Sequence, residues 1–145
     1  MPIKTFKGTI DDEEQIEIRI STSQGKVGYK IKKLQIIVTD PFVAACKLVF
    51  KVYTTKQTTI DALVNFADQA LIGVATYHDQ PVAEDMAEST VIIYENFVFN
   101  QDVFITMADV GVNAKSASYY LELEQVKLDE HEAAVATLKD MRGSA

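Results

Sequence analysis

Catalysis and metal binding depend on side chains that titrate, attack or ligate, and few in this chain fall into a useful pattern. The histidines are His78 and His131, and the one cysteine is Cys46. A metal site needs several converging ligands. His78 has only Asp79 beside it, in a polar stretch that reads as a solvated loop. His131 falls in the first turn of a helix predicted below, where exposure is expected. Nucleophilic catalysis needs a nucleophile, a base and an orienting group. Cys46 follows Ala44-Ala45 into an apolar strand, which predicts a small buried thiol. A G-x-S-x-G elbow is absent, and Gly25, Gly28, Gly73 and Gly111 lack the spacing of a phosphate-binding loop.

Carboxylates are more numerous but no better arranged. Asp11-Asp12-Glu13-Glu14 lies at a turn between two strands and lacks the spacing of a calcium loop, so it reads as a solvated acidic turn. Glu84, Asp85 and Glu88 flank Met86 in another acidic loop. Glu122 and Glu124 share one strand face, whereas a glycosidase sets two carboxylates across a groove. The expectation is a non-enzymatic protein with no catalytic residue, no metal ligand and no cofactor. The aromatics are 6 Tyr and 7 Phe with no Trp. Sugar-binding surfaces expose aromatic platforms, and Tyr94, Tyr119 and Tyr120 are the candidates for ligand-facing rings. On a regular strand, one of the adjacent Tyr119-Tyr120 pair must point outward.

The elements that would position these residues are mostly strands. Ile16, Ile18 and Ile20 alternate with polar residues, as do Val27, Tyr29 and Ile31. Lys33 breaks that phase before Leu34, Ile36 and Val38 resume it, which predicts a β-bulge near 32–33. Leu48, Phe50 and Val52 alternate with Lys47, Val49 and Lys51, a half-buried pattern. Residues 54–59 are loop-like, and IDALVNF at 60–66 fits either a short helix or a strand. LIGVATY (71–77), VIIYENFVF (91–99), 103–107 and 119–124 complete the strands, with 78–89 an acidic loop and Asn100-Gln101-Asp102 a turn. Asp129 then suits an N-cap, with Glu132 three residues on as in a capping box. Val135, Leu138 and Met141 make a narrow apolar stripe on a helix over about 130–142, a possible interface that docks on its own sheet or on a neighbouring copy. About eight strands and one terminal helix predict an all-β fold: an antiparallel β-sandwich, jelly-roll-like, with a short C-terminal α-helix.

A length of 145 residues suits one domain over 1–145, and 48% hydrophobic against 24% charged residues is a globular balance. The start shows no signal-peptide pattern, and no apolar run approaches the 18 or so residues of a membrane span, so no membrane role is expected. The net charge of −7 argues against nucleic acid as partner. Lys26, Lys30, Lys32 and Lys33 surround Tyr29, but its phase turns that ring toward the core. Residues 1–56 hold ten Lys or Arg against six Asp or Glu, and residues 57–145 hold four against fifteen. Either the strands interleave and mix these charges, or opposite patches on two copies orient assembly.

Three stretches, KVGYKIKKLQII (26–37), NQDVFITMADVGVNAKSASYYLELEQVKL (100–128) and EAAVATLKDMR (132–142), together with the order of strands and terminal helix, carry a likeness. In them the chain resembles small jelly-roll-like virion structural proteins of tailed bacteriophages, marine ones especially. The resemblance implies a capsid decoration protein or a tail component. Such a protein would be made in the host cytoplasm and end in the virion, as a homo-oligomer, trimer favoured, touching other virion proteins. A carbohydrate- or receptor-binding β-sandwich module is the alternative.

Overall fold

The computed structural model describes residues 3–20, 27–40, 45–79, 88–94, 96–111 and 114–127. Eight strands follow one another: β1 (Ile3–Ile10), β2 (Glu14–Ile18), β3 (Val27–Val38), β4 (Cys46–Tyr53), β5 (Leu71–Asp79), β6 (Glu88–Ile93), β7 (Val103–Asp109) and β8 (Ala117–Lys127). They form two antiparallel sheets in the orders β1-β8-β3 and β2-β7-β4-β5-β6. The expected all-β sandwich is what forms. The pairings β1/β8, β2/β7 and β4/β5 nest as in a jelly roll. The fourth nested pair, β3 with β6, is not made. Strand β6 stays on β5, and an isolated bridge joins Tyr29 of β3 to Phe99 instead. The stripe of Val135, Leu138 and Met141 and the helix that would carry it lie outside the described residues.

The period-two reading accounts for the core. Ile18, Ile20, Tyr29, Ile31, Leu34, Ile36, Val38, Leu48, Phe50 and Val52 are all buried between the sheets, and Ile16 packs against them. Cys46 is fully buried, as expected of a small thiol entering a strand. The register of β3 on β8 pairs Ile31 with Leu123 and Lys33 with Glu122, skipping Lys32. That is the expected bulge, and it returns Leu34 to the inside after two successive lysines.

Some boundaries differ from the sequence reading. Strand β5 runs on through His78 to Asp79, and β6 begins at Glu88, so both ends of the stretch expected as an acidic loop, 78–89, are strand. Strand β6 ends at Ile93, and residues 94 and 96–102 are irregular apart from the bridge at Phe99. Residues 60–66 are neither helix nor strand. The cause is local competition for backbone amides. Asp61 Oδ1 accepts from Leu63 N at 3.1 Å, Asn65 Oδ1 from Ala67 N at 3.0 Å and Asp68 Oδ1 from Ala70 N at 2.9 Å. Three such Asx turns in succession use donors that a helix or ladder would need.

This irregular stretch is tied to the outer face of the five-stranded sheet. Lys51, expected on a solvent face, is only 2% exposed. Its Nζ donates to Leu63 O at 2.7 Å and pairs with Asp61 Oδ1 at 3.0 Å, with the Tyr53 ring 5.5 Å away. Beside it Tyr53, Ala70, Leu71 and Val74 form a small second core. The ammonium is therefore paired and hydrogen-bonded where it is withdrawn from water, as a buried charge must be.

Candidate functional site

The residues with chemical potential are spread over the body. His78 stands on β5 rather than in a solvated loop, between Lys47 of β4 and Glu88 of β6 in the register. Its Nε2 is enclosed and has no hydrogen-bond partner among the described residues. The acidic turn at 11–14 is fastened by backbone amides. Glu14 N donates to Asp11 O at 3.1 Å, Asp11 N to Glu14 Oε1 at 2.9 Å, and Glu13, at φ 59°, donates its N–H to Met107 O at 2.9 Å. Asp12 Oδ1 accepts from Asp109 N at 2.7 Å. Asp109 in turn accepts from Lys47 N, Gly111 N and Lys115 N at 3.1, 2.8 and 2.7 Å. These two carboxylates fix the end of the sandwich where β2, β4 and β7 meet the following loop. Among the described residues, no three His, Cys, Asp or Glu side chains gather as a metal-holding group.

The three candidate tyrosines do not form one surface. Tyr119 points inward and stacks on Phe50, with ring centroids 5.6 Å apart at 25°. Burial, with the Glu14 charge second, pushes its hydroxyl above the ordinary phenol pKa. Tyr120 is the outward member of the pair, and its hydrogen bond to Glu122 raises its pKa, because a phenol must keep its proton to donate to a carboxylate. Both border a groove of about 410 Å³ along the open seam between β3 and β6, with Ile36, Ile37 and Val91. Tyr94 belongs to a different groove.

That second groove has a volume of about 640 Å³ and a mixed lining in which apolar side chains predominate. It is lined by Leu71, Ile72 and Gly73 on β5 and by Ile92 and Ile93 on β6. Gly73 packs closely on the small sheet, where a Cβ would come within 3.2 Å of Ile31 Cδ1 and that side chain would have to shift by a few tenths of an ångström. Tyr94 and Phe97 form one wall, their rings 6.3 Å apart, in a turn closed by Phe97 N donating to Tyr94 O at 3.2 Å. Tyr94 is held at the end of β6 by its N–H to Ile72 O at 3.0 Å. Phe66, Asp68 and Gln69 from the Asx-turn segment form the opposite wall. The rim is exposed: Phe66 63%, Ile92 49% and Tyr94 62%, with Leu63 at 74% just upstream.

Of this groove the sequence reading singled out Tyr94 alone. Phe66, Ile92 and Phe97 were legible only as members of apolar runs. The usable signal was the recurrence of Asp61, Asn65 and Asp68 through IDALVNFAD, which denies that run a regular element and leaves its apolar side chains without a face to bury.

Opposite charges mix on the small sheet. Acidic β8 lies between lysine-bearing β1 and β3, so that Glu124 sits 3.9 Å from Lys30 Nζ and 3.8 Å from Lys32 Nζ. Among the described residues, no helix is long and apolar enough to cross a membrane. Comparison with protein-family models and with curated proteins finds no match for the chain.

Proposed function

We propose that this chain is a non-enzymatic structural protein that acts through contacts, with copies of itself and with other proteins. We further infer its setting to be the virion of a tailed bacteriophage, as a capsid decoration or tail component. One observation carries the contact reading. A β-sandwich with an apolar core leaves Phe66, Ile92 and Tyr94 exposed around one groove. Contiguous aromatic and aliphatic exposure of this kind marks an interaction surface. The phage setting draws on the likeness of residues 26–37, 100–128 and 132–142 to virion proteins, which also favours a trimeric homo-oligomer. The test is to band phage particles from a lysate of the host that carries this sequence, and to quantify the chain by mass spectrometry. It co-sediments with particles at a fixed copy number under this reading. Recovery only from the soluble fraction would overturn the virion role.

A second reading is a carbohydrate- or receptor-binding module. Phe66, Tyr94 and Phe97 share their groove with Asp68 and Gln69, a combination of ring faces and polar groups that suits a sugar. Binding on a glycan array, lost in Tyr94→Ala, would favour it. An array without hits would remove it.

A further inference from the structure

Among the described strands, every open sheet edge but one carries a device against pairing. Strand β1 has Lys4 and Lys7, and β2 has Glu14 and Glu17. Strand β3 has Lys30, Lys32 and Lys33, the bulge, and the Phe99 bridge. Charges and bulges on edge strands discourage edge-to-edge association. Strand β6 is the outer strand of the five-stranded sheet, and no described strand lies beyond it. Its sequence, Glu88-Ser-Thr-Val-Ile-Ile93, holds no Lys, Arg or Pro and only one charge, at its start. All of its residues are exposed except Ile93, which is half-buried.

The ladder shows which amides are free. Tyr94 N donates to Ile72 O, so 94/72 is a hydrogen-bonded pair, and in an antiparallel ladder such pairs recur at every second residue. Thr90 and Ile92 therefore turn their N–H and C=O groups toward β5. Ser89, Val91 and Ile93 turn theirs outward. In an antiparallel pairing of two β6 edges, only outward residues can exchange bonds. The register that uses all of them sets Val91 opposite its own copy, Ser89 opposite Ile93 of the second copy, and Thr90 opposite Ile92. Glu88 then falls opposite Tyr94 of the second copy rather than opposite another carboxylate. This register keeps the two Glu88 carboxylates at opposite ends of the paired edge, and the β-branched residues Thr90, Val91 and Ile92 meet one another across the axis.

We propose that two copies of this chain join edge to edge through β6, with a two-fold axis at Val91, making one continuous sheet across both molecules. The proposal rests on the self-assembly reading above but not on its trimer, because a two-fold contact gives an even number of copies: a dimer, or two trimers joined as a hexamer. A contact of this kind is isologous: it consumes both open edges and stops growing. It also brings the two Val91 side chains, and the apolar seams that they border, to the axis.

Light scattering after size exclusion, at micromolar concentration, tests it with two variants. Val91→Pro removes an N–H that faces away from β5, so the internal ladder is untouched while the outer bond and the close approach are lost. Val91→Lys places like charges face to face on the axis. The wild-type mass is expected at an even multiple of 16.1 kDa. Association should weaken about tenfold or more in each variant, with circular dichroism and thermal midpoint near wild type. Should Val91→Pro fail to fold, Val91→Lys, on an exposed side chain, decides alone. If a folded variant keeps the wild-type multimer, or the multimer is a bare trimer, the β6 contact is overturned and self-assembly stands. If the wild type is a monomer throughout, both fall.

Discussion

Lys51 fastens the segment between β4 and β5 at one point, because its buried ammonium is met by Asp61 and the Leu63 carbonyl. The Lys51 hydrogen bond and charge hold the Asp61 carboxyl below its ordinary pKa of 3.8. A depressed folded pKa contributes stability above the unfolded value and loses it as pH falls through the folded one. Asp61 is 43% exposed, so solvent discounts the pair. Asp61→Asn should therefore cost about 1 kcal/mol at neutral pH. The difference from wild type should close in the acid range below 3.8, as followed by urea titration across pH. The tyrosine pair offers a sharper contrast. Tyr119→Ala empties a place stacked on Phe50 and should cost about 2–4 kcal/mol, whereas Tyr120→Ala on the outer face should leave the midpoint near wild type, both by chemical denaturation. Buried Tyr29 and Cys46 were legible because phase alone places them. Lys51 and His78 were not, because what lies over the outer face of a strand is set by distant chain and not by the strand's own alternation.

At the scale of elements, the bulge at Lys32 keeps both halves of β3 facing the core. Deleting Lys32 removes the skipped residue and leaves Ile31 and Leu34 in one regular alternation. That variant should fold, with a loss of about 1 kcal/mol. Deleting Gln35 instead sets Leu34 beside Ile36 and turns Ile36 and Val38 out of the core, which should cost roughly 3–5 kcal/mol. Equilibrium denaturation of the two deletions distinguishes a register device from a tolerant strand. The bulge was readable because two lysines in succession interrupt a clean period of two. The extent of β5 and β6 was not, since His78, Asp79 and Glu88 are polar residues whose pairing comes from partners across the ladder. Residues 60–66 stayed ambiguous for a different reason. Their apolar content suggests an element, while the Asp and Asn side chains among them take the backbone amides that any element requires.

At the scale of the molecule, the uneven division of charge along the sequence becomes a mixed surface on the small sheet, because β8 from the acidic half is inserted between β1 and β3 from the basic half. Chain order alone leaves that outcome open, and only the jelly-roll winding decides it. What the winding leaves unfinished is the β3/β6 pair, and the exposed groove and the unblocked edge both lie on β6. Truncating the groove while keeping the edge separates their roles. Phe66→Ser, on a side chain 63% exposed, should change stability by less than about 1 kcal/mol and leave the mass in solution unaltered, as read by thermal melts and light scattering. The most direct test of contact through this edge is amide hydrogen exchange over β6, read residue by residue at low and high protein concentration. The N–H groups of Thr90 and Ile92 should be protected at both concentrations by β5, while those of Ser89, Val91 and Ile93 should become protected only as concentration rises. Rapid exchange of those three amides at every concentration would contradict it.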